Sequence, residues 1–253
     1  MTATSTSAQA PSAVAEARCP NCGAPAPVAL RSRDLNRRVS DVEFAYRRCT
    51  SCGLVFVDAV PDDLARYYTR DYYAVPPTKD ALAGQAQAER MKVDIVRRHV
   101  PGGRLVEVGA GYGAFLQAAS AAGYDASGIE MDPISCEFIE RELGLPVVNT
   151  TDIDGALRRG GPYDVIALWH VIEHLTDWRA TLSAVAETLS PGGIVVMAAP
   201  NPAALQFRVM GRRWVHLDAP RHLQLIPIDV LLARATELGL RALEADTRRG
   251  ASL

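Results

Sequence analysis

The chain reads as an α/β protein, a doubly wound and mostly parallel sheet preceded by a small cysteine-held module. Three observations predict this. Two Cys-x-x-Cys-Gly knuckles lie near the start, and apolar strand patterns alternate with helical ones from residue 104 onward. The first of those strands, Leu105-Val106-Glu107-Val108, breaks into the glycine-spaced turn Gly109-Ala110-Gly111-Tyr112-Gly113.

Composition bounds the rest. With 253 residues, 48% of them hydrophobic and 22% charged, the chain can bury one sizeable core and a smaller appendage. A formal net charge of -2 supplies no bulk cationic field for a phosphate backbone, so nucleic acid is not the first expectation. A local patch of Arg31, Arg33, Arg37, Arg38, Arg47 and Arg48 is the exception. No stretch approaches the roughly 18 apolar residues of a membrane span, and the N-terminus lacks secretory-signal features, so a cytoplasmic protein without a membrane partner is expected.

Residues 1–17 are rich in Ala, Ser and Thr and carry almost no large apolar side chain, which predicts a disordered tail. Residues 18–60 form the small module. Cys19, Cys22, Cys49 and Cys52 form two knuckles, each presenting two thiolates to one ion, and together they predict a tetrahedral zinc site. Four cysteine ligands leave no open position, so the zinc is expected to be structural. The competing use of the knuckles is redox or disulfide chemistry. Val39–Arg48 and Leu54–Val57 read as strands of this ribbon. The fifth cysteine, Cys136, is alone in a helical pattern and reads as a half-buried thiol.

Residues 61–80 form a connector bearing Tyr67, Tyr68, Tyr72 and Tyr73, either packing rings between module and domain or a lid over a ligand. The main domain spans residues 81–253. Its first helix runs from Ala81 to Val100 with Met91, Ile95 and Val96 on one face. Strands are predicted at Arg104–Val108, Asp125–Ile129, Pro146–Val148, Asp164–Trp169, Ile194–Ala198 and Arg241–Thr247. A helix from Asp177 to Leu189 places Trp178, Leu182, Val185 and Leu189 on one stripe. Another begins near Pro227, turns Leu231, Leu232, Ala235 and Leu238 inward, and closes at Gly239.

A glycine turn alone is a weak signal, shared by nicotinamide and flavin enzymes. Three acids redirect it. Glu107 ends the first strand beside the turn, where it can accept from a ligand ammonium or water. Glu130 ends the second strand, where a carboxylate can grip ribose hydroxyls. Asp152 follows the third, where an acid can accept from an adenine amino group. The turn has no cation for a pyrophosphate. A ligand with an amine, a ribose and an adenine but no phosphate is S-adenosylmethionine.

Leu105–Gly113, Gly128-Ile129-Glu130-Met131-Asp132, Pro162–Leu175 and Leu189-Ser190-Pro191-Gly192-Gly193 resemble the successive motifs of class I S-adenosylmethionine-dependent methyltransferases. The resemblance covers about residues 81–247 and implies a Rossmann-like fold. It implies that Gly109, Ala110, Gly111 and Gly113 lie under the methionine end and that Glu130 binds the ribose. It further implies that Met131 and Asp152 flank the adenine, and that Trp169 and His170 border the transferred methyl. The knuckles and Tyr-rich connector also resemble bacterial methyltransferases of sugar and secondary-metabolite pathways, including zinc-containing sugar C-methyltransferases, whose further C-terminal domain this chain lacks. A small-molecule acceptor is therefore expected.

Methyl transfer from a sulfonium needs alignment and removal of the acceptor's proton. Four of the five histidines fall in two clusters, His170-Val171-Ile172-Glu173-His174 and His216-Leu217-Asp218-Ala219-Pro220-Arg221-His222. His222 is the expected general base or substrate contact. His170 either touches the cofactor through its backbone or takes part in catalysis, and His216, with Trp214, is a further candidate. Glu173 and His174 serve as a cap or loop fixture, or as chemistry. His99 reads as solvated. The spacing of His170, Glu173 and His174 also resembles the Glu-x-x-Glu-His segment of quinone-pathway O-methyltransferases, which holds a divalent ion, with His170 in place of the first glutamate.

A class I domain normally closes with a seventh, antiparallel strand, and the chain stops at Leu253 without one. Either the sheet ends early, a partner covers its edge in a homo-oligomer, or the sequence is a fragment. Two other functions fit the pattern: methylation of ribosomal or transfer RNA, and a non-catalytic S-adenosylmethionine-binding assembly protein.

Overall fold

The computed structural model describes residues 17–247, so residues 1–16 of the predicted tail and the last six residues lie outside the described part. Two sheets organise it. Strands β4 (Gly103–Val108), β5 (Tyr124–Glu130), β6 (Val147–Asn149), β7 (Tyr163–Trp169) and β8 (Leu189–Ala198) pair in parallel in the order β6-β5-β4-β7-β8. The order reverses at β4, which opens a crevice between the carboxyl ends of β4 and β7, where doubly wound sheets take their ligands. β4 and β7 are buried on both faces, as their nearly continuous apolar runs require.

The helices are α1 (Arg70–Tyr73), α2 (Lys79–Arg97), α3 (Ala114–Ala121), α4 (Pro133–Phe138), α5 (Ile153–Gly160), α6 (Trp178–Thr188), α7 (Leu205–Met210) and α8 (Ile228–Glu237). One core layer packs Leu82, Val93 and Val96 of α2 and Phe115 and Leu116 of α3 on the sheet, and the opposite layer packs Ala184 and Val185 of α6. In α2 the inward face is Leu82, Val93 and Val96, whereas Met91 is exposed. In α6 the predicted stripe is present, with Trp178, Leu182 and Val185 buried. Asp177 starts that helix by accepting the Ala180 N–H at 3.0 Å.

Three expectations are corrected. Residues 241–247 form no strand, because Leu243 is their one large apolar side chain and it is 48% exposed, leaving no face to bury. His99 is not simply solvated: its Nε2 lies 3.1 Å from the Glu244 carboxylate. Cys136 is fully rather than half buried, beside the Asn149 amide.

The second sheet is antiparallel, with strands β1 (Val28–Ser32), β2 (Phe44–Arg48), β3 (Val55–Val57) and β9 (Gln224–Leu225). Its last strand comes from the long connection that follows β8. That connection also contributes Phe207, Trp214, Leu217 and Leu223 to a core with Phe44, Tyr46, Val55 and Val57 of the ribbon. The knuckle side of the ribbon packs on Ile172, Trp178 and Leu182. The ribbon thus shares its core with the main domain at two places.

Candidate functional site

The glycine turn follows β4, and its geometry explains its composition. Gly109 and Gly111 have φ of +66° and +54°, the left-handed region. A Cβ at Gly109 would meet Val171 at 2.6 Å, whereas one at Gly111 would enter open space. Gly111 therefore faces the crevice with only its backbone. Its N–H donates to Glu130 Oε2 at 2.7 Å, and Glu130 Oε1 accepts from the N–H groups of Met131 and Asp132. The Glu130 carboxyl is nevertheless raised, because burial outweighs those three donors. Ala110 is buried, Gly113 caps α3, and Met131 is 44% exposed at the rim.

Glu107 is fully buried, and burial pushes its carboxyl well above the usual range against the pull of nearby Lys92. Its Oε2 has no hydrogen-bond partner. The Trp169 indole N–H at the end of β7 also lacks one, and Lys92 stands 5.1 Å over the Trp169 ring. Lys92 was not evident from the sequence; it lies on the exposed-looking side of a helical pattern. Asp152 sits away from this group of buried atoms, where it accepts the Gly155 N–H at 2.9 Å and caps α5. These positions fit S-adenosylmethionine through orphaned acceptors and donors and through the open space above Gly111.

The histidines converge beyond β7. His170 has φ +57° and is held by its N–H to the Ala198 carbonyl at 2.9 Å. Its ring stacks on that of His216 with centroids 6.4 Å apart, and the His174 and His222 rings meet edge to face at 4.6 Å. Between them lies Glu173, 1% exposed, whose two oxygens accept no hydrogen bond. His170 Nδ1 is 3.3 Å and His222 Nε2 4.0 Å from Oε1. Burial works to raise the Glu173 carboxyl, but the surrounding histidines, His170 foremost, hold it below the usual range.

The tautomers follow from backbone carbonyls, which only accept. His222 Nδ1 lies 2.8 Å from the His216 carbonyl and His174 Nδ1 3.0 Å from the Arg221 carbonyl, so both carry the proton on Nδ1 and keep a lone pair on Nε2. Tyr68 Oη reaches His174 Nδ1 at 3.0 Å, which brings the connector into the site. Burial lowers His174 to about 4, and burial with His170 lowers His216. Glu173, His174 and His222 place ligand atoms within 4.8 Å of one another, so the set a cation would meet contains His222 rather than His170.

Arg221 fixes this cluster to the ribbon. It is fully buried and binds Asp34 at 2.6 Å, Asp218 at 2.7 Å and the Tyr67 carbonyl at 3.1 Å. Burial works to raise both carboxylates, but Arg221 holds them below their usual range. Tyr67 itself is a packing ring, edge-on to Phe44, while the Tyr73 side chain lies outside the described residues. Sequence patterns single out Arg221 only as a neighbour of His222; Asp34 carried no signal.

In the ribbon the Cys19–Cys52 and Cys22–Cys49 sulfurs are 3.7 and 3.4 Å apart, and Asn21, Ser51 and Cys52 N–H groups approach sulfur at 3.3–3.4 Å. Four sulfurs at about 2.3 Å from a tetrahedral zinc lie about 3.8 Å from each other, so the donor set fits that ion.

A family model described as a methyltransferase domain matches residues 83–245. Among curated proteins, the chain is 29% identical over 132 residues to a ubiquinone biosynthesis O-methyltransferase of Saccharophagus degradans, covering 49% of this chain and 56% of that protein. It is 31% identical over 125 residues to one of Cereibacter sphaeroides, covering 47% and 50%. The chain thus spans about half the length of these relatives. Among solved structures, a SAM-dependent methyltransferase from Archaeoglobus fulgidus matches with TM-score 0.53 and 20% identity over 62% of this chain and 69% of that one. An O-methyltransferase family protein from Burkholderia thailandensis matches with TM-score 0.54 and 14% identity, over 73% and 59%. These likenesses show the fold.

Proposed function

Because the chain belongs to this methyltransferase-domain family, we propose that it transfers the methyl group of S-adenosylmethionine to a small-molecule acceptor held against the histidine cluster. The acceptor class is a sugar, a polysaccharide precursor or a secondary metabolite. One observation carries the reading: unpartnered buried atoms of Glu107, Trp169, His170 and Glu173 gather at the carboxyl ends of β4 and β7.

The cofactor, when bound, supplies an already activated methyl group. Glu107, Gly109, Ala110, Gly111 and Gly113 would hold its amino-acid end, Glu130 the ribose, and Met131 and Asp152 the adenine side. Trp169 and the His170 backbone close the inner wall. On the acceptor side His222 Nε2 takes the proton as the general base, and the buried Glu173 carboxylate stabilises the imidazolium that forms. His170 and His216 bound the acceptor with stacked rings. Cys19, Cys22, Cys49 and Cys52 hold a structural zinc ion that keeps the ribbon folded against this site.

The test is twofold. Calorimetry should show S-adenosylmethionine binding to wild-type protein and to His222→Asn alike. Transfer of labelled methyl to a pool of small acceptors should occur in wild type and fall by about a hundredfold in the variant, the usual worth of a general base. Equal transfer by both proteins would remove His222 from the mechanism. A second reading is favoured by Glu173, His174 and His222, whose ligand atoms lie within 4.8 Å of one another: a divalent cation sits there and takes the acceptor oxygen. Activity lost to a chelator and restored by magnesium, at unchanged zinc content, selects it.

A further inference from the structure

We infer that the hollow between β1 and the 211–213 turn binds a phosphate or diphosphate group, and that the methyl acceptor carries that group. The hollow, about 340 Å³, is lined by Ser32, Arg33, Leu35, Arg212 and Arg213. All three guanidinium-bearing residues are exposed, and among the described residues no carboxylate forms an ion pair with any of them. Like charges gathered without a counter-charge repel one another, so the fold holds an arrangement that an anion would relieve.

The neighbouring acid is already committed. Asp34, between Arg33 and Leu35 in sequence, turns inward to Arg221 and is fully buried. Residues 199–217 contain no acidic residue. The wall is fixed rather than loose: Ser32 Oγ donates to the Arg212 carbonyl at 3.1 Å, and the Asn36 amide donates to the Val215 carbonyl at 2.8 Å. Guanidinium forks suit phosphate oxygens, which accept paired hydrogen bonds.

Position links the hollow to the reaction. Arg213 and His216 are three residues apart, so their backbones lie within about 11 Å, and the chain bends through a helical turn at Val215–Leu217. His216 stacks on His170. The arginine turn and the histidine cluster are thus joined by one short backbone segment, close enough for a single acceptor molecule to be tested against both. Leu35 and Val215, 47% and 56% exposed, give the rim an apolar edge. The phosphate can thus belong to a soluble acceptor or to a lipid headgroup, which the same arginines would recognise.

This inference rests on the methyl-transfer reading for its link to the acceptor, but binding can be measured without turnover. Full-length protein is titrated with inorganic pyrophosphate, and separately sedimented with phosphatidylcholine vesicles with and without phosphatidylglycerol. The variants are Arg212→Gln/Arg213→Gln and, as a control elsewhere on the surface, Arg241→Gln. Pyrophosphate binding by wild type, weakened at least about tenfold in the double variant and unchanged in the control, supports a soluble phosphorylated acceptor. Binding confined to the phosphatidylglycerol vesicles, with the same dependence on Arg212 and Arg213, supports the lipid source. Binding to neither ligand, or binding that survives the double substitution, overturns the inference. S-adenosylmethionine affinity and zinc content, measured on the same samples, show whether the variants remain folded. Loss of S-adenosylmethionine binding by wild type would instead count against the methyl-transfer reading.

Discussion

The cofactor end and the acceptor end of the crevice are built in different ways. The cofactor end is local: Glu107, the glycine turn and Glu130 come from two adjacent parallel strands and the turn between β4 and α3. The acceptor end is assembled from distant segments. Asp34 of the ribbon, Tyr67 and Tyr68 of the connector, His170–His174 after β7 and His216–His222 after β8 meet around one buried arginine. A site made from neighbouring backbone survives changes elsewhere, whereas one made from a buried ion cluster depends on every segment that enters it.

That contrast can be broken in order of effect. Asp34→Ala leaves Arg221 with Asp218 alone in a buried site and should cost on the order of 3 kcal/mol, read as a lower urea midpoint. S-adenosylmethionine binding of the fraction that stays folded should persist; if it disappears together with the acceptor side, the two ends are not independent. Gly111→Val places a β-branched side chain at φ +54° and in the space above the turn. It should abolish measurable S-adenosylmethionine binding in calorimetry while leaving the histidine cluster intact, and undiminished binding would mean that the turn does not hold the cofactor. Tyr68→Phe removes the hydroxyl at His174 Nδ1 and should change kcat several-fold with little change in cofactor affinity, a loss of one hydrogen bond worth about 1 kcal/mol.

Glu107→Gln sharpens the comparison at the cofactor end through pH. The folded carboxyl titrates above its unfolded value, so the folded state binds more protons in that window and stability falls as pH rises through it. The amide removes this dependence. Without ligand, the variant should therefore melt at a higher temperature than wild type at pH 8, with the gap closing toward pH 4, while binding S-adenosylmethionine more weakly. A variant less stable at pH 8 would show that Glu107 is satisfied in the free protein.

The parallel sheet was legible because its strands are apolar runs punctuated by glycine and proline, and five of the six predicted strands form. Arg241–Thr247 failed because alternation was inferred from a segment with one large apolar residue. Met91 was assigned inward by helical spacing with Val96; Val96 is buried as expected, but Val93 rather than Met91 meets the supporting layer. β1 escaped notice because Val28 and Leu30 are its only large apolar residues and most of it is exposed, and β9 because a two-residue strand has no period and depends on where β3 offers an edge.

By itself the sequence determined the elements whose causes are local: the cysteine knuckles, the glycine turn, the caps, and the acid that closes each of the first two parallel strands. Backbone conformation and short-range hydrogen bonding decide these, and both are written in neighbouring residues. Tertiary structure alone decided the acceptor end. Which nitrogen of His174 and His222 is free, that Asp34 reaches Arg221, and that His222 completes a candidate ligand set with Glu173 and His174, follow from burial that brings together residues up to 187 positions apart. Such contacts leave no period or spacing in the chain, because the energy that selects them is desolvation of a shared site rather than any local preference.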